Sequence, residues 1–108
     1  MRRFAALSRQ ADFARLRRQG RRSTTRNLVV YRSDPLPGDP GAVVGITVSK
    51  SIGKAVTRNK LRRRLAAILH ELLAPDAALR LLVVPRPQAA RTPFADLRAE
   101  LASTLSRA

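Results

Sequence analysis

A chain of 108 residues with 44% apolar side chains can bury one core, which fits a single domain over residues 1–108 and argues against wholesale disorder. Twenty-two cations oppose seven acids for a formal net charge of +15, so the favoured partner is a polyanion, nucleic acid first and an anionic membrane surface second. The lack of cysteine excludes disulfide scaffolds and thiolate metal sites, and no apolar run approaches the about 20 residues of a membrane span.

The start, Met1 to Leu7, is basic but has no apolar stretch of the secretory kind, and the expected location is the cytoplasm. Ser8 is placed to cap a short helix closing at Gly20, with Phe13 and Leu16 on one face and Arg15, Arg17 and Arg18 around them. Nine cations and one acid, Asp12, fall within residues 1–26, a first basic block. Ser23 to Arg32 reads as extended, and Leu28-Val29-Val30-Tyr31 has the β-branched and aromatic content of a strand. Three prolines and two glycines between Ser33 and Gly41 predict a loop joining two antiparallel strands. Ala42 to Ser49 forms the next strand, in which Gly45 marks a bulge or a close approach of another segment.

A longer helix is predicted from about Val56 to Leu73. Leu61, Leu65, Ile68, Leu69 and Leu72 stand at offsets 0, 4, 7, 8 and 11 and make one apolar stripe. Arg63 projects opposite that stripe, Asn59 and Lys60 lie on either side of Arg63, and Arg62 and Arg64 occupy the flanks. Pro75 ends the helix, and Leu79 to Val84 is a buried strand closed by Pro85. Thr92-Pro93 caps and starts a last helix with Phe94, Leu97, Leu101 and Leu105 on its core face. The predicted fold class is α+β: a small two-layer sandwich in the order α-β-β-β-α-β-α, with a mixed sheet and a βαβ crossover.

The strongest functional signal is the handover from strand to helix. Lys50-Ser51-Ile52-Gly53-Lys54-Ala55-Val56-Thr57-Arg58-Asn59-Lys60-Leu61-Arg62-Arg63-Arg64 holds seven cations and no acid. A helix amino terminus attracts anions, so cations there oppose the helix dipole at a cost of a few tenths of a kcal/mol each. An anionic partner would offset that cost. Nineteen of the 22 cations are arginine, whose forks match phosphates and stack on bases, although GC-rich coding gives the same ratio. Asn59 can read a base edge or a ribose hydroxyl, or bond first-turn backbone. Phe13 and Tyr31 sit near basic residues, where an aromatic face suits unpaired bases; core packing is the alternative for both.

Signals for catalysis are thin. His70 is the lone histidine, Asp34 and Asp39 flank the proline loop, and Asp96 and Glu100 are an i, i+4 pair expected on a solvated helix face. No glycine-rich phosphate loop, metal-binding helix motif or nucleophile elbow occurs. The residues describe a binder with no catalytic side chains and no metal site. Charge and size alone fit a ribosomal or nucleoid-type structural protein without a processing role equally well.

The run from Gly45-Ile46-Thr47-Val48-Ser49-Lys50 through Ile52-Gly53 to Arg58-Asn59-Lys60-Leu61-Arg62-Arg63 resembles the signature of the bacterial ribonuclease P protein subunit. The resemblance covers nearly the whole chain: Asp12-Phe13 with Gly20, Val29-Val30-Tyr31, and Leu82-Val83-Val84-Pro85-Arg86 also match. It implies a protein that binds the catalytic RNA of a ribozyme and the single-stranded 5′ leader of precursor tRNA, in which the RNA performs the cleavage with magnesium held mainly by that RNA. Lys54, Arg58, Asn59, Lys60, Arg62 and Arg63 would face the ribozyme RNA. Phe13, Arg17, Tyr31, Ser49 and Lys50 would line a cleft for the leader. The resemblance further implies a left-handed βαβ crossover; no membrane is expected for want of an apolar span, and no protein partner is inferred. This chain departs from the family pattern at three positions: Lys60 replaces an arginine, Ala66 stands where members often carry another, and Arg17 takes the place of a second aromatic.

Overall fold

The computed structural model describes residues 4–106; Met1 to Arg3, part of the basic start, lie outside them, as do Arg107 and Ala108. The elements among the described residues are β1 (Ala5–Ala6), α1 (Gln10–Gln19), β2 (Arg21–Thr24), β3 (Leu28–Ser33), β4 (Val43–Ile46), α2 (Ala55–Leu72), β5 (Arg80–Pro85) and α3 (Phe94–Ser106), with 3₁₀ turns at Lys50–Ile52 and Pro87–Arg91. The sheet runs β1-β4-β5-β3-β2, with β4 parallel to β1 and to β5 and the remaining pairs antiparallel. The mixed α+β sheet is as expected, and β4-α2-β5 is the βαβ crossover.

Alternation along the strands sorts the side chains onto two faces. Leu28, Val30, Val44, Leu81 and Val83 join the α2 stripe and Leu97 and Leu101 of α3 in the main core. Val43, Tyr31, Leu82 and Val84 point the other way, where Leu7, Phe13 and Leu16 cover them. The sandwich with α2 and α3 thus forms one face, and α1 adds partial cover to the opposite one. Leu61, Leu65, Ile68 and Leu69 are all buried, each worth roughly 1.5–3 kcal/mol in removed apolar surface.

Several local expectations are corrected. The run from Ser23 to Arg32 is extended as expected, and its two strands β2 and β3 pair antiparallel as a hairpin around a turn at residues 25–27. The proline loop does connect strands of opposite direction, yet β3 and β4 are not neighbours, because β5 lies between them and pairs with both. That central place suits β5, which has five of its six residues buried. Ser8 does not cap α1. Arg9 holds that position, and its carbonyl accepts from Asp12 and Phe13. Gly20 closes α1 with an ordinary φ of −70°, and its role is space, since a Cβ there would lie 2.5 Å from the Leu16 carbonyl oxygen. Thr92 does not cap α3 either. Its hydroxyl donates to the Gln88 carbonyl at 3.0 Å, and the Pro93 carbonyl receives the Leu97 N–H. Phe94 is 37% exposed, so the α3 core face is Leu97, Leu101 and buried Thr104, with Leu105 half-buried.

Two polar anchors fix the loops. The Asp39 carboxylate accepts from Arg80 Nε at 2.9 Å, Arg80 Nη2 at 3.0 Å and the Leu36 N–H at 2.8 Å. Arg80 Nη1 lies 3.0 Å from Asp12 Oδ1, so a single guanidinium ties the proline loop and α1 to the first residue of β5. That guanidinium, helped by the Leu36 N–H, holds Asp39 down to about 2. At the other end, Glu100 accepts from the Asn27 N–H at 2.8 Å, Asn27 Nδ2 at 2.6 Å and the Thr25 hydroxyl. Glu100 is therefore not part of a solvated pair with Asp96. Burial raises its pKa, but the bonds from Thr25 and Asn27 and the charge of Arg26 outweigh it, and the net shift is downward.

Candidate nucleic-acid interface

Beyond β4 the chain passes through Ser49 into the 3₁₀ turn at Lys50–Ile52 and reaches α2 through Gly53, whose φ of 147° strains any other residue. Ser49 and Ser51 share a hydroxyl–hydroxyl bond of 2.7 Å across this corner. Lys54 occupies the N-cap of α2 without a side-chain cap bond, and the first turn holds no acid. The helix end that favours anions is thus left open and ringed by cations.

Lys54, Asn59, Lys60, Arg62 and Arg63 are exposed, and Arg58 and Arg64 are half-buried. Arg62 Nη1 donates to Asn59 Oδ1 at 2.8 Å, which orients the guanidinium and leaves the Asn59 amide N–H groups for a partner. Arg58 Nε is buried with no protein acceptor. Such a donor costs about 1–3 kcal/mol until something accepts from it. None of the seven cations from Lys50 to Arg64 forms an ion pair with an acid among the described residues. The six residues expected to face RNA therefore share one helix and its approach, and the five cations among them are without an acidic partner among the described residues.

The residues expected for a leader cleft are only partly brought together. Phe13 and Arg17 line a recess of about 270 Å³ with Gln10, Ala14 and Thr47. The Phe13 ring lies against Gly45, where a Cβ would come within 2.8 Å of Phe13 Cε1, so the glycine is a close-approach point and Phe13 both packs and lines. Tyr31 belongs to the same apolar cluster as Phe13 and stands opposite Arg22 of β2, but it does not line the recess. Ser49 and Lys50 are exposed and follow Thr47 closely in the chain. Gln10, Ala14, Thr47 and Arg22 are additions to the sequence reading. Gln10, Ala14 and Arg17 recur at helical spacing, and Thr47 shares Gly45's face by strand alternation, so those signals were readable.

Comparison with known proteins decides between the processing and structural classes. The sequence model of the Ribonuclease P family matches residues 1–108. The chain belongs to the ribonuclease P protein family. The "Ribonuclease P protein component" of Acidothermus cellulolyticus is 41% identical over 102 residues, covering 94% of this chain and 85% of that protein. A Staphylococcus aureus RNase P protein mutant with defective mRNA degradation activity superposes with a TM-score of 0.82 at 27% identity, covering 93% of this chain and 84% of that one. The RNase P protein from Thermotoga maritima gives a TM-score of 0.80 at 25% identity, covering 95% and 96%. Membership makes this chain the protein subunit of ribonuclease P, a tRNA-processing factor that associates with RNase P RNA, and it sets aside the ribosomal or nucleoid class. No helix among the described residues is long and apolar enough to cross a membrane.

Proposed function

We propose that the protein positions precursor tRNA for a cleavage that the RNA subunit performs, using two separate surfaces. Lys54, Arg58, Asn59, Lys60, Arg62 and Arg63 dock on phosphates and riboses of RNase P RNA. Phe13 and Arg17, with Thr47 in the same lining and Ser49 and Lys50 farther along the chain, hold the unpaired 5′ leader. Tyr31 supports that groove through the apolar cluster it shares with Phe13. The observation that carries this reading is the unpaired state of the junction cations, including a buried arginine N–H that no protein atom accepts.

The division of labour follows from what each surface offers. Guanidinium and ammonium groups neutralise phosphates and bring the two RNAs together, a term that depends on salt. The recess beside α1 is part apolar and part cationic, which suits a base with its phosphate and reads little sequence. No group of three or more His, Asp or Glu among the described residues could hold a metal ion. Asp12, Asp39, Glu71 and Glu100 are committed to protein partners. In this reading the magnesium ion is held mainly by the RNA.

The test is a cleavage assay with RNase P RNA and precursor tRNA at low magnesium. Added protein should raise the cleavage rate; generic RNA binding without stimulation would sink the proposal. Tyr31→Ala should lower the preference for precursor over mature tRNA by loosening the cluster that seats Phe13, by less than the about tenfold of one lost base contact. An unchanged ratio of the two affinities removes Tyr31 from the leader surface.

A further inference from the structure

Phe13 borders a second recess of different character. Between the β1–β4 edge and α2, Leu7, Phe13, Val44, Ile46 and Ala66 enclose about 240 Å³, and Arg62 and Arg63 belong to the same lining. The hollow exists for two reasons. β1 pairs only Ala5 and Ala6 with Val43 and Val44, so β4 runs on past its neighbour. On α2, the side chain facing the hollow between the two arginines and the core is the methyl group of Ala66.

The volume is below the about 300–1,000 Å³ of pockets for drug-sized ligands and suits one flat ring system. The lining is apolar with two aromatic side chains, Phe4 and Phe13, and the cations belong to the exposed face of α2. Arg62 is already oriented by its bond to Asn59. Unpaired bases are bound by this pairing of an apolar or aromatic seat with cations on the backbone to either side. A lipid chain or apolar peptide would fill the hollow but would leave two guanidinium groups and a +15 chain without counter-charge.

We propose that this recess takes a single unpaired base of RNase P RNA, with Arg62 and Arg63 holding the phosphates next to it. The inference rests on the docking of α2 on that RNA and adds a specific contact to it. The base anchors the register of the docking, which phosphate contacts alone leave loose. The hollow adjoins the proposed leader groove through Phe13, so the anchored RNA and the leader lie one phenyl ring apart.

The experiment combines base-specific chemical probing of RNase P RNA with hydroxyl-radical footprinting, using the wild-type chain, Ala66→Leu and Ala66→Ser. Wild type and Ala66→Ser should protect the pairing edge of one unpaired base. Ala66→Leu fills the recess and should expose that base again, weaken binding by about tenfold and leave the backbone footprint and the salt dependence unchanged. An abasic substitution at the protected nucleotide should weaken wild-type binding equally, which keeps the test decisive if Ala66→Leu folds poorly. Absence of any such base, or full affinity of the Ala66→Leu protein and of the abasic RNA, overturns the recess proposal while the α2 docking stands. Loss of the α2 footprint itself would instead overturn the docking.

Discussion

Replacing Arg58 and Arg62 together by alanine should weaken association with RNase P RNA by about a hundredfold, with a much smaller change in melting temperature. Each charge-assisted contact contributes about 1.5 kcal/mol, so two give about 3 kcal/mol. The protein has little to lose in isolation. Arg62 is exposed and bonds only to Asn59 of its own helix, and the buried Arg58 Nε has no acceptor. Removing two cations from the first turns of α2 also relieves their conflict with the helix dipole. Binding isotherms and thermal melts on the same preparations check this. Matching losses of affinity and melting temperature would make the pair structural and contradict the docking surface.

Arg80→Ala should lower the melting temperature by roughly 10 °C, the scale expected for losing one to two kcal/mol from a domain of this size. Arg80 is only 9% exposed and connects β5 to both Asp39 and Asp12, so its removal frees the proline loop and loosens the seat of α1. The pH dependence has a definite sign. Asp39 has a folded pKa lowered from 3.8 to about 2, so its contribution is complete above about pH 4 and disappears as the pH falls through 2. Wild-type stability should therefore decline over that acid range, and Arg80→Ala should lose the part of the decline due to Asp39. Melting curves between pH 2 and 7 would show it; an equal acid sensitivity in both proteins would contradict the clamp.

The parts of this molecule that were legible in its sequence are those encoded locally. The α2 stripe announces itself by spacing, and the cations ahead of it can be placed on the helix from periodicity alone. β1 carries no such mark. It is two alanines held by backbone bonds, Ala5 N–H to the Ala42 carbonyl and the Leu7 N–H to the Val44 carbonyl. The insertion of β5 between β3 and β4 follows from which strand gains most by burial on both faces, a property of the whole sheet. Glu100 reads as a surface acid because its partners Thr25 and Asn27 lie more than 70 positions away in the chain. The candidate interface divides the same way. Arg58, Asn59 and Arg62 stand in one contiguous motif, whereas the recess beside α1 is assembled from separate segments, and Tyr31 shares the Phe13 cluster without lining that recess.

The salt dependence of RNase P RNA binding tests the central claim most directly. With the five docking cations Lys54, Arg58, Lys60, Arg62 and Arg63 each neutralising a phosphate, the slope of log affinity against log salt should be about −3.5. The Arg58→Ala, Arg62→Ala protein should show a slope shallower by about 1.4. A slope near zero, or one that the double substitution leaves unchanged, would contradict the assignment of this junction as the surface that grips the RNA.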